Sequence, residues 1–182
     1  MTTFNIPTKD QVSEGNQAIF TNLEKGLGFI PNLYASYAHS DTALGDYLAF
    51  QNRKSSLRAK EREVINLVVS QINDCRYCQS AHTALGKMNG FTDDQILELR
   101  TGEATFDSKL NALANFTKDI TINRSKPSAQ ALEAFYEAGY TKENLVDTVM
   151  IIGDKFVSNF LHGATQTEID FPLAPELEKA TA

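Results

Sequence analysis

The chain has 182 residues, of which 42% are hydrophobic and 22% charged, a balance typical of one soluble globular domain with a sizeable core. Its formal net charge of −6 provides no basic surface, so neither nucleic acid nor a membrane is an expected partner. The first residues lack the pattern of a secretory signal, and no apolar run reaches the ~18 residues of a membrane span, which together predict a cytoplasmic protein.

Helix signals follow one another along the chain. Capping residues, together with glycine and proline stops, predict nine helices that begin near residues 8, 31, 42, 57, 75, 92, 107, 128 and 141. Strand signals are nearly absent, because no alternation of apolar and polar residues persists for six positions. The prediction is one all-α domain over residues 1–182. It comprises N-terminal helices (1–56), a core (57–125), C-terminal helices (126–168) and a loosely held tail (169–182).

The chemistry is concentrated in residues 63–82, EVINLVVSQINDCRYCQSAH, which contain both cysteines of the chain. Asn73 and Asp74 offer a cap, so a new helix is predicted to start at Cys75. Cys78 then lies one turn further on and His82 another turn beyond, so that all three side chains share a face. In a reducing compartment, a Cys-x-x-Cys pair is more often catalytic or metal-binding than a structural bridge.

A cysteine becomes nucleophilic when it loses its proton, and several neighbours favour that loss here. The helix N-terminus, Arg76 and a protonated His82 would each stabilise a thiolate. The helix dipole alone predicts that Cys75 is the more acidic thiol, because it is nearer the N-terminus. Glu63 is placed to orient His82, although a carboxylate on a helix is more often a solvated charge.

Two other interpretations of the cysteines remain open at this point. They could be small buried core residues, or they could bind zinc together with His82, in which case His39 or His162 would have to supply the fourth ligand. A thioredoxin-like site is not favoured, because no strand is predicted before Cys75.

The spacing Glu-x11-Cys-x2-Cys-x3-His of Glu63, Cys75, Cys78 and His82 resembles that of the alkylhydroperoxidase D-like group, in the carboxymuconolactone decarboxylase superfamily. The flanking LRAKER and the upstream GFIPNLYASYAHS are similar to its peroxidase-related branch. The resemblance implies an alkylhydroperoxidase D-like helical bundle and a homo-oligomer, either a trimer or a hexamer. It also implies a peroxide substrate and a thiol or dithiol reductant, and we expect neither a cofactor nor a metal.

Carried over from that family, Cys78 attacks the peroxide, Cys75 resolves the product as a disulfide, and Glu63 with His82 relays protons. Tyr77 stands where the best-known member has a histidine, so the relay is expected to be shorter and Tyr77 to pack or to donate a hydrogen bond. The alternatives are a carboxymuconolactone decarboxylase-type reaction, which needs no cysteine pair, and a non-enzymatic oligomer that senses redox state.

A gapless comparison of residues 63–82 with residues 143–162 suggests a degenerate internal helical repeat. Five of the twenty positions match, including Glu63 with Glu143 and His82 with His162. Lys155 and Ser158 stand at the positions of the two cysteines. Duplication of a helical unit would produce this pattern, and so would chance.

Overall fold

The computed structural model describes residues 4–177, and all regular structure within that range is helical. A short 3-10 helix (Lys9–Gln11) precedes α1 (Glu14–Leu27), α2 (Asn32–Tyr37), α3 (Ala43–Gln51), α4 (Ala59–Ile72), α5 (Arg76–Met88), α6 (Asp93–Thr101), α7 (Ser108–Ile122), α8 (Ala129–Glu137) and α9 (Lys142–Thr165). The predicted all-α class is confirmed. None of the helices in residues 4–177 has both the length and the apolarity to cross a bilayer.

Four helices, α6 to α9, begin at the capping residue that the sequence indicates. The side chains of Thr92, Asp107, Ser128 and Thr141 each accept a hydrogen bond from a backbone N–H of the following turn. The prediction of one helix from residue 8 onward is wrong. The backbone is extended at residues 12 and 13, and α1 starts after Ser13, whose hydroxyl caps it.

Helix α4 forms the centre of the molecule. It contacts α5, α6, α7 and α9, and every residue from 63 to 70 is buried. Helical spacing in the sequence places Val64, Leu67, Val68 and Ile72 on one apolar stripe of this helix and Asn66 outside that stripe. Asn66 is in fact buried, because helices cover α4 on several sides.

The buried apolar residues form two clusters. The larger cluster joins α4 to α6, α7, α8 and α9. The smaller one contains residues of α1 to α3 together with Tyr77, Cys75 and Cys78. Helix α9 also contacts α2, α3 and α5, and its Ser158 lies beside Cys78.

The C-terminal segment is held against the helices, contrary to the predicted loose tail. The Asp170 carboxylate accepts hydrogen bonds from the Tyr77 hydroxyl (2.7 Å) and from the backbone N–H of Asn32 (2.7 Å). The backbone N–H of Ala174 donates to the Ser80 hydroxyl (3.1 Å). Specific polar contacts that local sequence patterns do not reveal therefore fix residues 170–174. Residues 178–182 of the predicted tail lie outside the described part of the chain.

The two halves of the suggested repeat do not share a conformation. Residues 63–82 cover α4, a turn and α5, whereas residues 143–162 lie within the single continuous helix α9. The correspondence between Cys75 and Lys155, and between Cys78 and Ser158, is nevertheless of interest, because these residues meet in the site described below.

Candidate active site

The turn between α4 and α5 presents both cysteines to the interior. Asp74 adopts the left-handed conformation (φ 50°), which aspartate tolerates better than most residues. Cys75 follows as the N-cap of α5, and its Sγ accepts the backbone N–H of Cys78 (3.4 Å). The helix thus begins one residue later than predicted, and Cys75 takes the capping position expected for Asp74.

Cys78 is the more acidic thiol. It is only 3% exposed, and its Sγ lies 4.0 Å from the Ser158 hydroxyl on α9. A hydrogen bond from the Cys75 thiol lowers the pKa of Cys78 to about 6, and the charge of Lys155 also lowers it, so that together they outweigh the opposing effect of burial. At neutral pH the Cys78 sulfur is therefore predominantly a thiolate.

Cys75 behaves in the opposite way. The hydrogen bond that its thiol donates to Cys78 raises the pKa of Cys75, and burial raises it further. The dipole argument, which favours Cys75, is therefore wrong for this site. Arg76, also expected to favour the thiolate, instead donates to Gln79 Oε1 (3.1 Å) and to the backbone oxygen of Ala174 (2.9 Å).

Glu63 and His82 form a direct pair across α4 and α5. His82 Nδ1 lies 2.8 Å from Glu63 Oε2, and the Asn66 amide donates to the other carboxylate oxygen (3.0 Å). Burial favours a raised pKa for Glu63, but the interactions with His82, Lys155 and Asn66 hold its pKa below the ordinary value. Glu63 is therefore a buried, ionised acceptor that faces the imidazole.

Lys155 is the site residue that sequence reasoning missed. Its ammonium lies 3.0 Å from His82 Nε2 and 3.6 Å from Asp154 Oδ2, and the residue is only 2% exposed. Burial favours a lower pKa for Lys155, but the charges of Asp154, Cys78 and Glu63 raise its pKa instead, so it is protonated. The only available signal was the gapless comparison that set Lys155 opposite Cys75.

A cavity of about 260 Å³ opens beside these groups. It is lined by Cys78, Glu63, His82, Lys155 and Ser158. The second cysteine, Cys75, is not part of the lining. The aromatic walls of the cavity are formed by Phe29, Tyr34, Tyr47, Phe50, Tyr77 and Phe171. A ligand in the cavity would meet one thiol of the pair, surrounded by largely apolar surface.

Tyr77 has a structural part in this wall. Its hydroxyl donates a hydrogen bond to Asp170 and accepts one from the backbone N–H of Leu33 (3.2 Å). These two hydrogen bonds join α5 to the C-terminal segment and to α2. The ring packs edge-on against Phe171, with 5.7 Å between the ring centroids. The C-terminal segment thereby contributes Phe171 to the cavity.

The zinc interpretation finds no fourth ligand at the site. His39 Nε2 is bonded to the backbone oxygen of Asn5 (2.8 Å), and His162 Nε2 to that of Thr167 (3.1 Å). Over residues 4–177, no three His, Cys, Asp or Glu side chains are grouped so that they could hold a metal ion.

Comparison with known proteins identifies the family. The profile of the carboxymuconolactone decarboxylase family matches residues 36–119, which include the complete Glu63–His82 stretch. The uncharacterized protein YdfG of Bacillus subtilis (strain 168) is 32% identical over 102 residues, which cover 55% of this chain and 69% of YdfG. The chain belongs to the carboxymuconolactone decarboxylase family.

Solved structures show how widely the fold of this family member is shared. An uncharacterized peroxidase-related protein from Ralstonia eutropha JMP134, described as an alkylhydroperoxidase AhpD core, superposes with a TM-score of 0.83 at 20% identity. A second uncharacterized peroxidase-related protein, from Silicibacter sp. TM1040, superposes with a TM-score of 0.79 at 24% identity. Each comparison covers 92% of this chain and 91% of the other. The alkylhydroperoxidase D-like helical fold is confirmed.

Within this carboxymuconolactone decarboxylase family protein, the site draws on residues inside and outside the profile match. Glu63, Cys75, Cys78 and His82 lie inside residues 36–119, whereas Lys155 and Ser158 on α9 lie beyond them. The complete cluster therefore depends on how α9 packs against α4 and α5.

Proposed function

We propose that this member of the carboxymuconolactone decarboxylase family is a thiol-dependent peroxidase, with Cys78 as the nucleophile. The observation that supports the proposal best is the difference between the two thiols. Cys78 lines the cavity and has a pKa of about 6, whereas the pKa of Cys75 is raised and its thiol donates to Cys78. One thiol is thus ready to attack, and the other still carries the proton needed later.

In the first step the Cys78 thiolate attacks the terminal oxygen of a hydroperoxide. A sulfur–oxygen bond forms, the oxygen–oxygen bond breaks, and the leaving alkoxide takes a proton, which yields an alcohol and the Cys78 sulfenic acid. Glu63 and His82 are the groups proposed to move that proton, as the resemblance to the family implies. The carboxylate and the imidazole, 2.8 Å apart, are close enough for this role.

In the second step Cys75 attacks the sulfenic sulfur of Cys78, which forms a disulfide and releases water. Two electrons from a thiol or dithiol reductant then restore both thiols and complete the cycle. The same dithiol centre would also support disulfide reduction, in which a partner disulfide takes the place of the peroxide.

The cavity favours an organic hydroperoxide as substrate. About 260 Å³ is far more than hydrogen peroxide needs, because one water molecule occupies ~30 Å³ in the liquid. Six aromatic side chains form much of its wall, and burial of an organic group against them is favourable. We also propose that the active form is a homo-oligomer in the cytoplasm.

The direct test is consumption of an organic hydroperoxide in the presence of a dithiol reductant. Wild type should turn over, and Cys78→Ser should be inactive. Cys75→Ser should retain turnover only when a monothiol reductant resolves the sulfenic acid in its place. Activity that survives the loss of both thiols would refute the proposal and would point instead to the decarboxylase chemistry for which the family is named.

A further inference from the structure

The histidine of the motif does not have a free nitrogen facing the thiol. His82 Nδ1 is engaged by Glu63 at 2.8 Å, and Nε2 by the Lys155 ammonium at 3.0 Å. An ammonium group can only donate hydrogen bonds, so Nε2 must be the acceptor. The proton of a neutral imidazole then has to be on Nδ1, where the Glu63 carboxylate accepts it.

A buried ammonium is costly unless opposite charges compensate it. Lys155 has that compensation from three sides. Asp154 lies beside it on α9, Glu63 faces it from α4 through His82, and Cys78 faces it from α5. The cation is therefore stable in the interior, where its field is screened less than at the surface.

Lys155 and Cys78 line the same cavity. The charge of Lys155 lowers the pKa of Cys78, and the charge of Cys78 raises the pKa of Lys155. Helix α9 supplies the cation, whereas the thiol and its histidine belong to α5. The other titratable groups around the pair are Tyr34, Tyr37, Tyr47, Glu63, Cys75, Tyr77, His82 and Asp154. Burial raises the pKa of each of the four tyrosines, so they remain neutral.

We propose that Lys155 is a positioning residue of the Cys78 centre. Its ammonium holds the Cys78 sulfur as a thiolate and fixes His82 in the form protonated on Nδ1. The proton relay of this protein is consequently Glu63–His82–Lys155, with a lysine at the end that faces the thiol. The importance of Lys155 for catalysis rests on the proposed function, whereas its effect on the ionisation of Cys78 can be measured without peroxide.

The experiment is the pH dependence of Cys78 alkylation by iodoacetamide in the full chain, with the modified residue identified by mass spectrometry. Wild type should show a midpoint near pH 6, which follows the pKa of Cys78. Lys155→Met should raise the midpoint by about 1–3 pH units, the usual effect of removing a nearby opposite charge. Lys155→Arg keeps the charge and should remain within about half a unit of wild type, since the charge is the larger part of that effect.

Lys87→Met is the matched control, because Lys87 is a largely exposed lysine on α5 paired with Asp93 (2.6 Å). It should leave the midpoint unchanged. An unchanged midpoint in Lys155→Met, or an equal shift in Lys87→Met, would overturn the proposal.

A second measurement is made on wild type, and a variant serves only to assign its signals. Nitrogen NMR of histidine-labelled protein should show His82 protonated on Nδ1, with its signals assigned by their loss in His82→Asn. Protonation on Nε2 would overturn the proposal. A shifted midpoint in Lys155→Met without any peroxide turnover in wild type would support the role of Lys155 and refute the peroxidase, so the two failures are distinguishable.

Discussion

Replacing Cys75 with alanine should raise the pKa of Cys78, even though Cys78, the proposed nucleophile, is itself unchanged. The hydrogen bond from the Cys75 thiol is the largest factor that lowers the pKa of Cys78 to about 6. A hydrogen bond to a charged group contributes ~1.5–3 kcal/mol, and one pKa unit corresponds to ~1.4 kcal/mol, so the loss should raise the pKa by roughly one to two units. The pKa of Cys78 should then lie at roughly 7 to 8.

The matched control is Cys75→Ser, because a serine hydroxyl can still donate a hydrogen bond to the thiolate. Both variants lack the second thiol, so the comparison separates the hydrogen bond from disulfide formation. At pH 6.5 a thiol with a pKa near 6 is about three-quarters ionised, whereas one with a pKa near 7.5 is about one-tenth ionised. The serine variant should resemble the former and the alanine variant the latter.

The assay is a pH titration of the thiolate by its ultraviolet absorbance, which reads ionisation directly. A reaction rate at one pH would be a poorer measure, because a thiolate with a higher pKa is also a stronger nucleophile and partly offsets the lower ionised fraction. The same midpoint in wild type and the alanine variant would refute the assignment of Cys75 as a hydrogen-bond donor. An equal shift in the serine variant would refute it as well.

Three further predictions concern the surroundings of the thiols. Glu63→Gln should lower the free energy of unfolding in urea by ~1.5–3 kcal/mol at pH 7, whereas Glu143→Gln on exposed α9 surface should cost less than ~1 kcal/mol. Because the folded-state pKa of Glu63 is lowered, this difference should disappear as the pH falls through that pKa. Asp170→Ala removes two hydrogen bonds that fix the C-terminal segment, so limited proteolysis there should become faster than in wild type. Phe160 belongs to an exposed apolar stripe of α9, so Phe160→Asp should convert the proposed homo-oligomer to monomers, as measured by light scattering. The control Met88→Asp, on α5, should leave the oligomer intact. A monomeric wild type would contradict the proposed oligomer.

The sequence predicts the part of the site that depends on local geometry. Cys78 and His82 are four residues apart on one helix, so their convergence follows from the helical repeat. The Glu63–His82 contact is expected from the resemblance to the family motif, whose glutamate lies on α4 and whose histidine lies on α5. Capping patterns likewise predict the starts of α6 to α9, because caps are short-range interactions.

Long-range packing accounts for what the sequence does not reveal. Lys155 is 73 residues from His82 in the chain, and their contact exists only because α9 crosses α4 and α5. A lysine in a helical pattern is ordinarily read as a solvated charge, so its burial is not predictable from its own neighbourhood. Asp170 is similar: its partner Tyr77 is 93 residues away, and a proline-punctuated tail gives no local sign of being held.

Long-range packing also explains why the sequence does not reveal which of the two thiols is the more acidic. The helix dipole is a local effect and favours Cys75. The interaction between the two thiols raises the pKa of Cys75 and lowers that of Cys78, the charge of Lys155 also lowers the pKa of Cys78, and these effects outweigh the dipole.

The central claim, that Cys78 is the thiol that peroxide oxidises, is tested most directly by mapping the sulfenic acid. Reduced protein is treated with one equivalent of an organic hydroperoxide and a sulfenic-acid trap, and the adduct is located by peptide mass spectrometry. We predict an adduct on Cys78 in Cys75→Ser, a disulfide in wild type, and no adduct in Cys78→Ser. An adduct on Cys75 that forms equally fast in Cys78→Ser, or a wild type that loses no thiol, would contradict the claim.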